Sequence, residues 1–191
     1  PSPNGDHVWI TAQARTMFNN MGSELSGFFN MMADNGFLDL DNRDTKAGGG
    51  FCTSFPNYGV PFIFTNFNGT THDIEVLAHE AGHAFQNWLS RDKAITDYIW
   101  PTYESCEIHS MSLEFLTWPH MGLFFGDDAE RFRQLHLTKS LLFLPYGVAV
   151  DHFQHMIYEN PGANPKERNE MWLEMNRTYE PWADYGDIGH L

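Results

Sequence analysis

Basic residues are scarce in this 191-residue chain. Lys and Arg number 11 against 25 Asp and Glu, giving a formal net charge of −14. None lies between Lys46 and Arg91, and none between Lys93 and Arg131. A chain of this sign repels phosphate backbones and anionic lipid, so nucleic acid and membrane surfaces are excluded as partners. Cysteine is nearly absent too. Cys52 and Cys106 are too few for a disulfide scaffold and suit a reducing cytoplasm. No apolar run reaches the length of a membrane span, and the longest, 141–150, is interrupted by Pro145 and Gly147. No basic segment followed by an apolar one opens the chain, so a signal peptide is not expected and a cytoplasmic location is. The chain begins at Pro1 and is expected to be a piece of something longer.

What is present describes a folded domain. Hydrophobic residues make up 42% and aromatic residues 15%, enough to bury a core, and the length suits one domain spanning 1–191. Apolar residues recur at helical spacing from 8 to 33, a Met and aromatic stripe that reads as core. Breaker residues predict a loop over 34–50. Residues 51–55 and 61–67 read as two short strands. Helices are predicted over 71–91, 103–117, 128–143, 146–159 and 164–178, punctuated by Pro101, Pro119, Pro145, Pro161 and Pro165. The expected fold is mainly α with a small β-sheet.

The chemistry concentrates on the helix predicted at 71–91, with Thr70 or Thr71 as its cap. Ile74, Leu77, Ala78, Ala81, Ala84, Phe85 and Trp88 form its apolar stripe. His79 and His83 lie on the other side with His72, Glu75, Gln86 and Asn87, and no cation shares that face. Four helical residues correspond to about 40° of rotation and about 6 Å of rise, so two imidazoles at this spacing can address one ion. Glu80 is placed to reach water at that ion without ligating it. Histidine, an adjacent carboxylate base and a second histidine are what a catalytic zinc site needs. A solvated polar face would mix charges of both signs. Gly82 removes a side chain between the histidines and allows something to pack close.

Zinc requires a third protein ligand. Glu104, Glu107 and Glu114 share one face of the helix predicted at 103–117, and spacing alone does not choose between Glu104 and Glu107. One can ligate; another can hydrogen-bond a ligand imidazole and fix its orientation. His152 and His155 form an HxxH without a local base or third ligand and read as a structural pair. His7, His72, His109, His120, His136 and His190 have no partner that spacing identifies.

Three stretches together resemble the oligoendopeptidase F / thimet oligopeptidase family of HExxH zinc peptidases. They are Val76-Leu77-Ala78-His79-Glu80-Ala81-Gly82-His83-Ala84-Phe85, the segment Glu107-Ile108-His109-Ser110-Met111-Ser112-Leu113-Glu114, and Gly49 to Cys52 with Pro61 to Phe67. Leu144 to Asp151 and the region down to Asp184-Tyr185 are also similar to bacterial members. The resemblance implies a zincin-like catalytic region of a helical oligopeptidase. It implies one Zn²⁺ held by His79, His83 and Glu107, Glu80 as general base, and short peptides as substrates in a channel. It further implies that a strand near 51–54 or 62–67 pairs with substrate backbone.

The family carries a further His/Tyr segment that helps to bind the oxyanion. This sequence is expected to stop short of it, and His190 does not match it. The region is therefore expected to be truncated at both ends. A second reading follows, in which the chain is a zinc-binding fragment or scaffold with weak catalysis, since one transition-state donor is worth roughly 10²–10³ in rate.

Overall fold

The computed structural model describes residues 1–184 and 186. Two helices open the chain: α1 (His7–Met21) and α2 (Ser23–Asp34). The single helix expected over 8–33 is broken at Gly22, whose φ of 141° is open to glycine and to few other residues. Asp6 caps α1 by accepting from the Trp9 amide at 2.9 Å. Across the break, Arg15 donates to Asn30 Oδ1 (2.8 Å) and Asp34 Oδ1 (2.6 Å), tying the pair together. The Met and aromatic stripe is core as expected: Met17, Phe18, Phe28, Phe29 and Met32 are fully buried.

A three-stranded sheet follows, built from β1 (Leu38–Asp41), β2 (Phe51–Phe55) and β3 (Val60–Phe67) in the order β1-β3-β2. Strand β1 runs parallel to β3, and β2 runs antiparallel to it with Cys52 opposite Ile63. An edge of β2 is thereby left unpaired within the sheet. Strand β1 lies where a loop was expected. Its Leu-Asp-Leu-Asp run is poor strand sequence by propensity, but Lys46 satisfies it. The Lys46 ammonium donates to Asp39 Oδ1 (3.1 Å), Asp39 O (3.1 Å) and Asp41 O (2.6 Å), and sits 4.4 Å above the Phe64 ring.

Helix α3 (Thr71–Ser90) packs on the sheet and buries Ile74, Leu77, Ala81 and Ala84 in the core. Thr70 is its capping position, yet its hydroxyl donates to Asn68 Oδ1 and caps nothing. Asp73 does the anchoring: its carboxylate accepts from the amides of Asn68 (3.0 Å) and Gly69 (2.7 Å), fixing the turn that leads from β3 into the helix. Asn87, expected on the polar face, is buried.

Helix α4 (Ile108–Leu116) starts later than the predicted 103, because residues 103–107 are turns. A short α5 (Gly122–Phe125) precedes the long α6 (Ala129–Glu159) and then α7 (Pro165–Tyr179). The break expected at Pro145 is absent. Helix α6 runs through it, although Pro145 has no amide to give the Leu141 carbonyl.

The chain divides into two compact units, Pro1–Arg133 and the part from Gln134 onward. Within the second, Trp172 meets Tyr146 and Phe153 edge-on, and a reciprocal capping box joins Asn164 and Glu167 at the start of α7. The predicted site residues all belong to the first. Among the described residues, no helix is long and apolar enough to cross a membrane.

Candidate metal centre

Helix α3 contributes His79, Glu80 and His83, and the residue just before α4 contributes Glu107. Three side-chain atoms converge. Glu107 Oε2 lies 3.0 Å from His79 Nε2 and 3.3 Å from His83 Nε2, and the two Nε2 atoms are 3.1 Å apart. Among the described residues, these three form the group of His, Cys, Asp or Glu side chains that could hold an ion.

The close approach of α3 and α4 makes this possible. A Cβ at Gly82 would fall 2.6 Å from Ser110 Cα and 3.0 Å from the His109 carbonyl. No side chain fits there, so the two backbones touch at the residue before His83. Buried Ser110 then donates from its hydroxyl to Glu107 Oε2 at 2.8 Å, setting the carboxylate toward the histidines.

Each imidazole is also held from behind. His79 Nδ1 is 2.6 Å from Glu114 Oε1. A carboxylate only accepts, so that nitrogen carries the proton, which in the neutral ring leaves Nε2 with a lone pair. Burial disfavours the charged His79 ring, but the Glu114 hydrogen bond and charge, followed by Glu80 and Glu107, raise its pKa above the ordinary value. His83 Nδ1 lies 3.1 Å from His109 Nε2. Burial, then the charge of His79, keeps His83 below the ordinary histidine pKa. Glu107 has burial acting against its charge, yet the Ser110 hydrogen bond and the two histidines hold it below the usual carboxylate range.

Glu80 is buried, and it faces the same cleft without joining the three convergent atoms. Burial pushes its pKa up, the charge of Glu107 adds to this, and His79 and a hydrogen bond from the Cys52 amide oppose it. The cleft wall is completed by Gly50, Phe51 and Cys52 at the edge of β2, and by Trp100 and Cys106. Gln86 steadies the Trp100 side by donating to the Ile99 carbonyl at 3.0 Å.

The donor chemistry fits zinc. Ligands about 2.0–2.2 Å from a tetrahedral ion stand about 3.4 Å from one another, close to the observed spacings. Two imidazole nitrogens and a carboxylate oxygen that meet this closely are the donor set such an ion takes.

The other sequence-derived candidates separate clearly. Glu104 sits in the turns ahead of α4 and not on a common helical face with Glu107 and Glu114. It is exposed, with its pKa lowered by its own amide and the Thr102 hydroxyl. Glu114 meets His79 on the side away from the convergent atoms. His152 and His155 are exposed; His152 meets the Tyr179 hydroxyl at 2.9 Å and His155 lies 3.7 Å from Asp151. Cys52 and Cys106 are free thiols. His190 and Tyr185 lie outside the described residues. Sequence reasoning gave no role to His109, Ser110 or Trp100. The helical glycine at 82 was the available signal for the first two.

The family model described as peptidase family M3 matches residues 14–187. Among solved structures, Pz peptidase A with an inhibitor is 52% identical with a TM-score of 0.95, covering 98% of this chain and 34% of that one. A candidate oligoendopeptidase F from Bacillus anthracis strain Ames is 53% identical with a TM-score of 0.92, covering 100% of this chain and 35% of that one. A further candidate oligoendopeptidase F is 53% identical with a TM-score of 0.94, covering 98% and 33%. The chain thus spans about a third of the length of the solved structures it matches. No curated protein matches it. The resemblance read from the motifs is borne out, as is the mainly helical fold with a small sheet.

Proposed function

We propose that this chain, which belongs to peptidase family M3, is the zinc-holding catalytic region of a metalloendopeptidase that hydrolyses short peptides. One observation carries the reading: His79 Nε2, His83 Nε2 and Glu107 Oε2 meet within 3.3 Å beside the buried carboxylate of Glu80.

In this reading His79, His83 and Glu107 are the metal ligands. A zinc ion held there supplies Lewis acidity toward water and the scissile carbonyl. Glu80 is the general base. It accepts a proton from the attacking water and returns it to the leaving amine. Its burial and the neighbouring Glu107 both favour the protonated form, which is the form that must donate in the second step. Glu114 and Ser110 are positioning residues, the first through His79 and the second through Glu107.

The edge of β2 suits an extended peptide. Gly50 to Cys52 border the cleft, and backbone pairing there would lay a substrate alongside Glu80. Short peptides, rather than nucleic acid or membrane, are the proposed partners, and the cytoplasm is the proposed compartment.

The test is cleavage of a quenched peptide in the presence of a chelator, followed by zinc re-addition. Hydrolysis should stop and return, and Glu107→Ala should bind no zinc. Chelator-resistant hydrolysis would remove the zinc mechanism. Stoichiometric zinc without chelator-sensitive hydrolysis would favour the second reading, a zinc-binding region with weak catalysis. Full zinc occupancy in Glu107→Ala would move the ligand role elsewhere.

A further inference from the structure

We infer that His109 is a positioning residue, a neutral hydrogen-bond acceptor that fixes the tautomer and the ring orientation of His83. The inference rests on the proposed zinc-binding reading and adds a residue to it.

The geometry singles out His109. Its Nε2 stands 3.1 Å from His83 Nδ1, and the two rings meet edge-on at 78° with centroids 5.1 Å apart. His83 Nε2 is turned the other way, toward His79 Nε2 and Glu107 Oε2. An imidazole that gives its Nε2 lone pair to a cation carries its proton on Nδ1. That proton points at His109 Nε2, so His109 must accept, and its own proton sits on Nδ1.

The placement is built into the backbone. Gly82 precedes His83, and His109 precedes Ser110. A Cβ on Gly82 would meet the His109 carbonyl at 3.0 Å and Ser110 Cα at 2.6 Å. The contact that brings α4 against α3 therefore also brings the His109 ring to His83. His109 is half-buried, so this ring is partly shielded from water that would compete for the hydrogen bond.

The two ligand histidines are thus supported by different chemistry. His79 leans on a carboxylate, Glu114, at 2.6 Å, and His83 leans on an uncharged imidazole at 3.1 Å. Charge-assisted hydrogen bonds are the stronger kind. The His83 arm is the weaker of the two, and it is the one that needs a matching tautomer in its partner.

The test is zinc affinity, measured on the intact protein by competition with a chromophoric chelator. Loss of an outer-shell partner typically costs about 10–100-fold in metal affinity. His109→Ala should show that loss, with thermal midpoints of the metal-free proteins unchanged. In His109→Gln the side-chain carbonyl can accept where Nε2 did, and affinity should return to near wild type. Wild-type affinity in His109→Ala would overturn the inference, and so would a loss in His109→Gln as large as in His109→Ala. If the variants fail to fold, ¹⁵N spectra of the zinc-loaded wild type decide: His109 should carry its proton on Nδ1, and a proton on Nε2 would overturn the inference. A wild type that binds no zinc would overturn the underlying reading as well. Tight wild-type binding that His109→Ala leaves unchanged would sink the His109 role alone.

Discussion

A Cβ on Gly82 would stand 2.6 Å from the Cα of Ser110. Side-chain ends can swing away from such a contact, but backbone cannot. Alanine in place of a helical glycine gains up to about 1 kcal/mol from propensity. Overpacking against fixed neighbours typically costs about 1–3 kcal/mol. The second effect should win in Gly82→Ala, lowering the urea midpoint. Zinc affinity should fall with it, because α4 carries Ser110 and Glu107 sits at its entrance. A variant more stable than wild type would show that the helices can part without cost.

Glu114 offers a cleaner separation of binding from folding. Its carboxylate holds His79 Nδ1 at 2.6 Å from a position behind the convergent atoms. Glu114→Ala should weaken zinc binding about 10–100-fold while leaving His79, His83 and Glu107 in place. Isothermal titration with zinc measures this directly, and an unchanged Kd would remove Glu114 from the support of the site.

Zinc should also stabilise the fold. A ligand that binds the native state alone adds about 4 kcal/mol at a thousandfold excess over its Kd. Scanning calorimetry should therefore show a higher Tm with zinc than with a chelator, and Glu107→Ala should abolish the difference. A zinc-dependent rise that persists in Glu107→Ala would place the ion at another site.

How much of this could be read from the chain differs by element. The histidines and Glu80 were legible because helical geometry alone relates positions 79, 80 and 83. Choosing Glu107 was harder, since periodicity put Glu104, Glu107 and Glu114 on one face. The structure ends that equivalence: the helix begins at Ile108, so Glu104 sits in a turn and Glu107 at the helix entrance. Strand β1 was hidden by its aspartates; the loop that follows supplies Arg43 and Lys46 to pair with Asp39, a contact that strand periodicity does not display. Gly22 and Pro145 show the limits of breaker residues. The first broke a helix that periodicity carried through, and the second left a helix unbroken.

Asp39 predicts how stability responds to acid. The hydrogen bond from Arg43 leads in lowering its pKa, burial opposes, and Lys46 reinforces, bringing it from an ordinary 3.8 to about 2. A carboxyl with a depressed native pKa contributes stability that is complete well above 3.8 and is lost as pH falls toward 2. Urea midpoints of wild type and Asp39→Asn should therefore differ at neutral pH and converge between about pH 4 and pH 2. A difference that stays constant across that window would mean Asp39 acts through packing alone.

The proposed division of labour between Glu80 and the three candidate ligands is tested most directly by Glu80→Gln, with zinc content and peptide hydrolysis measured on the same preparation. Glutamine keeps the shape but cannot take the proton. The account predicts one zinc per chain, as in wild type, and hydrolysis reduced by about 10²–10⁴-fold, the usual worth of a positioned acid–base group. Hydrolysis at the wild-type rate with zinc retained would contradict it, and so would loss of the metal, which would make Glu80 a ligand and not a base.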